Sequence, residues 1–378
     1  MSNIKDKIKA SIYLHSYFDT LGYGNGNWEF NDGKTMIGNE VEASYIYLHL
    51  VHQYFALGGQ DISIKKLIAS DDTIMLIATG KACLIGGSEK DYIDEYLKIL
   101  DLLKDDKRSS GIGTLNTLEK IKRAKSIEKL DYTEKGGGNG AAMRTSVIGL
   151  IYNKKDDIDK ILENSIIASR VTHNNSLGFL GGLVTALFTN YAIRDIPPWE
   201  WSINLLDLYK SGKIDEFMKK TNIYQKYSQD KDLFFDKWEQ YNEQKITTFK
   251  DIRPINEVSF NKRLKFLEEY NDYQTQGKQN LFRYGGSGAS CVIVAYDSLL
   301  MSYGSNSWPL GNFKELKISL DSLIFFSCLH FGDNDTTGAV AGAWYGALYG
   351  FKNFDQSKLK DLEFNQDLDN LTKKIIQS

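Results

Sequence analysis

Cysteine is nearly absent: Cys83, Cys291 and Cys328 are the three in 378 residues, at separations that fit neither a disulfide framework nor a cysteine zinc site. That excludes a small stapled scaffold and points to a reducing compartment. Proline is as sparse, four in the chain with two adjacent at Pro197 and Pro198, which leaves long segments free to run as helix. No sign of charge dominates. Lysine and arginine total 46 against 49 acidic residues, a net charge of -3, and basic groups such as 104–108 and 120–125 alternate with acidic or apolar neighbours. Nucleic acid is therefore a poor default partner. The greasiest segments, 177–193 and 339–351, are interrupted by Thr185, Thr189 and Asn190 or by glycine, so they read as buried helices and no membrane partner is expected. Residues 1–9 are charged and carry no apolar secretory stretch, which makes a cytoplasmic protein the expectation. The sequons at Asn174, Asn334 and Asn370 are then fortuitous.

Strand signals are sparse too, whereas Ile4, Ile8 and Ile12 recur every four residues and Ile64, Leu67, Ile74 and Leu76 continue a helical pattern. A helical globule follows. Glycine at 338, 342, 346 and 350 lines one helix face with bare backbone. This predicts a second helix packed very close, offsetting the roughly 1 kcal/mol that each interior glycine costs relative to alanine. One domain over 1–378 is expected, with a less typical, charge-rich and aromatic helical excursion around 199–283.

What the chain does have is two acidic clusters far apart in sequence, Ser70-Asp71-Asp72-Thr73 and Asp333-Asn334-Asp335-Thr336-Thr337. Each opens into a run of small and apolar residues, which puts carboxylates at the mouth of a buried helix. Two carboxylates about 4 Å apart repel by roughly 4 kcal/mol at an effective dielectric near 20, and oxygen-rich sites suit hard cations such as magnesium. If the fold joins the clusters, two divalent ions balance four aspartates. Read singly, the first cluster is a helix cap. The second imitates the start of a calcium loop, but Trp344 stands where the bidentate glutamate belongs.

Between the clusters, Gly136-Gly137-Gly138-Asn139-Gly140 precedes a predicted helix over 141–150. Such a loop can offer backbone N–H groups to phosphate, but taken alone it reads as a flexible hinge. Arg144, one turn on, is placed to meet either phosphate or a core carboxylate. The patch Thr172-His173-Asn174-Asn175 before a helix is either a cap or a substrate contact. His330 is placed to orient the second acidic loop.

Taken in order, these residues resemble the ADP-ribosylglycohydrolase family, most closely its ADP-ribosylarginine hydrolase branch, over nearly the whole chain. The matching stretches are Asp19-Thr-Leu-Gly22, Trp28-Glu29-Phe30, Ser70-Asp-Asp-Thr73-x-Met75, Gly138-Asn-Gly-Ala-Ala-Met-Arg144 and Ser169-Arg-x-Thr-His173. They continue with Phe179-Leu-Gly-Gly182, Ala295-Tyr-Asp297 and His330-x-Gly-Asp-x-Asp335. The resemblance implies an all-α fold, a compact orthogonal multi-helix bundle with a dimagnesium centre in a cleft. It implies hydrolysis of the N-glycosidic bond between ADP-ribose and arginine of mono-ADP-ribosylated proteins; separately, a monomer is expected. Carried over residue by residue, Ser70, Asp71, Asp72, Asp333, Asp335 and Thr336 would hold two magnesium ions. Gly138, Asn139 and Gly140 would approach the diphosphate, with Ser169, Thr172 and His173 nearby. Glu29 matches a mobile acidic residue near the substrate, and Asp72 or Asp71 would orient the attacking water or take its proton.

This chain departs from the arginine branch in four places. His173-Asn-Asn-Ser176 replaces His-His-His-Pro, and Gly288-Ala-Ser-Cys291 replaces Gly-His-Asp-Ala, so a carboxylate suited to guanidinium is lost at Ser290. Phe18 and Phe331 replace glycines beside the acidic motifs and are expected to narrow the space there. The competing expectations are hydrolysis at another linkage, to serine or nucleic acid, and a non-catalytic ADP-ribose-binding protein.

Overall fold

A computed structural model describes residues 3–30, 43–246, 260–271, 274–275, 278–279, 284–303, 318–330 and 332–378. The helices are, in chain order, α1 (Ile4–Tyr23), α2 (Ala43–Ala56), α3 (Asp71–Ile85), α4 (Glu89–Lys98), α5 (Leu100–Leu103), α6 (Ile112–Ala124), α7 (Ser146–Ile151), α8 (Ile158–Arg170) and α9 (Ser176–Ile193). There follow α10 (Trp201–Lys210), α11 (Lys213–Met218), α12 (Tyr224–Tyr241), α13 (Phe260–Glu269), α14 (Gly288–Met301), α15 (Leu320–Cys328), α16 (Asn334–Tyr349) and α17 (Asn365–Gln377). Among the described residues the only strand pair is Gln274–Thr275 with Lys278–Gln279. The fold is all-α.

The centre of the fold is the antiparallel contact of α1 with α16, and glycine makes it possible. A Cβ placed on Gly338 would lie 3.2 Å from Phe18 O, one on Gly342 2.6 Å from Leu14 O, and one on Gly346 2.5 Å from the carbonyl carbon of Ala10. The obstacles are main-chain atoms, which cannot rotate away. Gly346→Ala should therefore destabilise by about 1–3 kcal/mol, outweighing the roughly 1 kcal/mol gained in helix propensity. Gly113→Ala, where nothing lies within 4 Å of the added carbon, should cost nothing; urea midpoints of the two variants check this. Phe18 corrects an expectation. Its ring is buried against Gly342 and does not line the cleft described below, because α1 turns that face into the glycine groove. Phe331 lies outside the described residues.

α9 is the one described helix long and apolar enough to cross a membrane, and 94% of it is buried inside the fold. Its Phe188 ring meets Trp201, Trp238, Tyr296 and Trp344 at centroid distances of 5.3–5.4 Å. That aromatic cluster ties α10 and α12, from the charge-rich excursion, to α14 and α16. The helix expected over 141–150 is shorter than predicted. A 3-10 turn at Ala142–Arg144 precedes α7, because Arg144 and Thr145 send their side chains to carbonyls of Ala168 and Gly182.

Candidate functional site

Ser70 caps α3, its Oγ accepting from Asp72 N at 3.2 Å. A second cap comes from α1: Asp19 accepts from Ser70 N and Thr73 N, both at 3.1 Å, and from the Thr73 hydroxyl. One residue upstream the chain is clamped again. Arg108 forms a two-pronged pair with Glu363, at 2.7 and 2.8 Å, while donating to Ala69 O, and Glu363 accepts from Ala69 N. Asp71 and Asp72, at the first turn of a helix pinned from three sides, have little freedom left.

The second acidic loop is fixed as firmly. His330 contacts Thr337 Oγ1 through Nε2 at 2.8 Å and accepts from Gly332 N through Nδ1, so it orients the loop as its position suggested. Asn334 accepts from His330 N and donates to Trp28 O; it is fully buried, which agrees with reading its sequon as fortuitous. Phe30 N donates to Gly332 O at 2.8 Å, bringing Glu29 beside this loop. Carboxylate oxygens of Glu29, Asp333 and Asp335 lie within 4.8 Å of one another. Thr336 Oγ1 is 3.4 Å from Asp72 Oδ1, so the two clusters meet.

Burial dominates the electrostatics. It pushes Asp71 up to about 7, with Asp19 and Asp333 adding repulsion. It drives Asp72 and Asp335 well above the usual carboxylate range, again with help from neighbouring acids. Asp72 Oδ2 is buried with no hydrogen-bond partner. An orphaned carboxylate oxygen among mutually repelling acids and a threonine hydroxyl is a donor set that fits a hard divalent cation.

These groups close one end of a cleft of about 430 Å³ that Asp71, Asp72, Asp333, Asp335, Thr336 and Glu29 share with Gly138, Asn139, Gly140, Thr172 and His173. The glycine loop is no hinge. Asn139 N and Nδ2 donate to Gly286 O and Gly285 O, and Gly288 N donates to Gly137 O, which laces 136–140 to the turn before α14. Two residues predicted for the site, Ser70 and Ser169, do not line the cleft. Ser70 is used as the cap, and Ser169 Oγ donates back to Ser165 O at 2.6 Å within its own helix. Arg144 meets no carboxylate among the described residues; its guanidinium donates to Gly140 O, Ala168 O and Thr172 Oγ1. Ser290 is fully buried and accepts from Gly285 N at 3.0 Å.

One wall was missed from sequence. Residues 109–114, with Thr117, Thr133 and Lys135, also line the cleft. A signal existed: Ser109-Ser-Gly-Ile-Gly-Thr114 is a small-residue loop running into the start of α6, the same kind of feature as 136–140.

The sequence profile of the ADP-ribosylglycohydrolase family matches residues 1–378. A protein of Acanthamoeba polyphaga mimivirus named as an ADP-ribosyl glycohydrolase is 33% identical, across 95% of this chain and 68% of its own length. ADP-ribosylhydrolase ARH1 of Dictyostelium discoideum is 32% identical, across 98% of this chain and 94% of its own. ADP-ribosylhydrolase ARH3 of Mus musculus is 23% identical, across 82% and 77%. A solved structure titled as an ADP-ribosylglycohydrolase-related protein complex shares the fold, with a TM-score of 0.57 at 17% identity over 100% of this chain and 99% of that one. By its matched profile and its relatives above 30% identity, the chain belongs to the ADP-ribosylglycohydrolase family.

Proposed function

We propose that this protein is a magnesium-dependent hydrolase, monomeric and cytoplasmic, that removes ADP-ribose from arginine side chains of mono-ADP-ribosylated proteins. The observation that carries the reading is the meeting of α3 and α16 acids at one end of a cleft walled by the 136–140 loop. The arginine linkage rests on the order of the motifs, which resembles the arginine branch throughout the chain.

Asp71, Asp72, Asp333, Asp335 and Thr336, with Ser70 behind them, would hold two magnesium ions. Bound magnesium supplies positive charge and Lewis acidity beside the ribose. Asp72, or Asp71 beside it, would orient a water or take its proton as the water oxygen bonds to the anomeric carbon. The carbon–nitrogen bond breaks, and the guanidine leaves with its electron pair and takes up a proton. Fixed Asn139 and the adjacent glycines hold the other end of the ligand, so attack is a positioned event. Glu29, half-buried where the cleft opens into a neighbouring cavity that Tyr23, Asn25 and Lys107 also line, is placed to contact the ribose side.

One observation favours a second reading, an ADP-ribosyl linkage to serine. Ser290, which stands in place of an acid in the arginine branch, is buried under the Gly285 turn and gives the guanidinium no carboxylate. The deciding measurement is release of free ADP-ribose from arginine-modified and serine-modified proteins, with magnesium and then with EDTA. The expected result is release from arginine-modified protein that EDTA abolishes and magnesium restores. Release from the serine-modified protein alone would transfer the assignment. No release from either by folded, magnesium-loaded protein would shift the assignment to another linkage, such as nucleic acid, or to a non-catalytic ADP-ribose-binding role.

A further inference from the structure

Arg144 is a fully buried cation whose guanidinium spends its hydrogen bonds on Gly140 O at 2.7 Å, Ala168 O at 2.9 Å and Thr172 Oγ1 at 2.6 Å. It also lies over the Tyr96 ring, 4.8 Å from the centroid. An arginine side chain only donates, so the bond to Thr172 uses a lone pair of the hydroxyl oxygen. The hydroxyl proton needs an acceptor, and the remaining contact at Thr172 Oγ1 is His173 Nδ1, 2.8 Å away. Nδ1 is then an acceptor. A neutral imidazole that accepts at Nδ1 carries its proton on Nε2. The ring is neutral because burial, reinforced by the Arg144 charge, lowers its pKa to about 3.

His173 lines the cleft, and its Nε2 edge lies against the glycine loop. A Cβ on Gly140 would be 2.6 Å from Cε1 and 3.0 Å from Nε2, and one on Gly138 would be 3.5 Å from Nε2. Alanine at 140 would therefore displace the ring whose N–H the relay sets.

We propose that Arg144 and Thr172 are positioning residues that lock His173 as the Nε2–H tautomer, so that it donates a hydrogen bond to an oxygen of ADP-ribose at the 138–140 wall. The second clause rests on the reading of the cleft as an ADP-ribose site; the tautomer lock does not. Arg144 thus acts on the ligand through two side chains, without touching it.

The test is a long-range proton–nitrogen spectrum of 15N-histidine protein, with the His173 signals identified by their loss in His173→Gln, together with ADP-ribose binding by calorimetry. Wild type should show a protonated Nε2 and a bare Nδ1. Thr172→Val should average the two tautomers and raise the ADP-ribose dissociation constant about tenfold, and Thr172→Ser should restore both. Protonated Nδ1 in wild type, or an unchanged tautomer in Thr172→Val, would overturn the relay. The wild-type spectrum decides the tautomer even if Thr172→Val fails to fold. The expected tautomers in a protein that does not bind ADP-ribose would sustain the lock and overturn the cleft reading.

Discussion

Asp72→Asn should lower the rate of ADP-ribose release by about 10²–10⁴-fold, the usual contribution of a positioned general base, with the helical circular dichroism signal unchanged. The substitution is nearly isosteric. Asp72 N keeps its bond to Ser70 Oγ, and the amide oxygen can still accept from Thr336 as Oδ1 does. What disappears is the negative charge and the basic Oδ2, the one oxygen of this carboxylate without a partner in the protein. Burial and the repulsion of Asp19, Asp71 and Asp333 hold Asp72 well above the usual range. The metal-free variant should therefore melt no lower than metal-free wild type. A variant that turns over at the wild-type rate would remove Asp72 from the chemistry, and one that loses its helical signal would make it structural.

The second large effect is on stability, and it depends on pH and metal together. Asp71, Asp72 and Asp335 hold protons more tightly in the folded chain than in the unfolded one, where a carboxyl titrates near 3.9. Wherever the folded state binds more protons, stability falls as pH rises. For Asp71 the fall extends to about pH 7, and Asp72 and Asp335, both held well above the usual carboxylate range, add to it. The buried histidines His15, His173 and His330 act in the opposite direction. Burial lowers each to about 3, so they add stability as pH rises from about 3 to 6.5 and nothing above. Above pH 6.5, where the histidines no longer contribute, melting in EDTA should therefore drop as pH rises through about 7 and Asp71 gives up its proton. Magnesium should raise the melting temperature at every pH, by an amount that grows with pH as protons cease to compete. At a hundredfold excess over the dissociation constant the gain is about 2.7 kcal/mol. A melting temperature insensitive to magnesium at pH 8 would mean that the cluster does not hold the ion.

Much of this site could be read from the chain because its parts are written in unusual residues. Paired aspartates ahead of apolar runs, a five-residue loop with four glycines and a four-residue glycine repeat each violate an ordinary preference, and each marks a close approach in the fold. The wall at 109–114 carries no charge and only two glycines, a weaker form of the signal at 136–140. Arg144 was misjudged for a different reason. Sequence gives a buried arginine its charge but not its geometry: Nη1 and Nη2 donate to carbonyl and hydroxyl oxygens, and Nε is buried without a hydrogen-bond partner. Asp19 was visible only as part of a motif; that it caps a helix 51 residues away is a fact of tertiary packing. The Ser70 and Ser169 hydroxyls bond to their own backbone neighbourhood, a use that the motifs do not announce.

The acidic cluster joins groups 264 positions apart, at Asp72 and Thr336, and the α1–α16 contact beneath it spans 332, from Ser11 to Ala343. Translation adds about 5–20 residues per second, so Asp71 and Asp72 leave the ribosome tens of seconds before their partners exist. The early half cannot assemble the centre by itself, and contacts this distant in sequence form late and slowly. A chain cut short before Asp333 would keep the helix cap and lose the site. Magnesium-dependent activity in a cell extract would therefore count only finished, fully folded molecules, and no fragment of the chain would add to it.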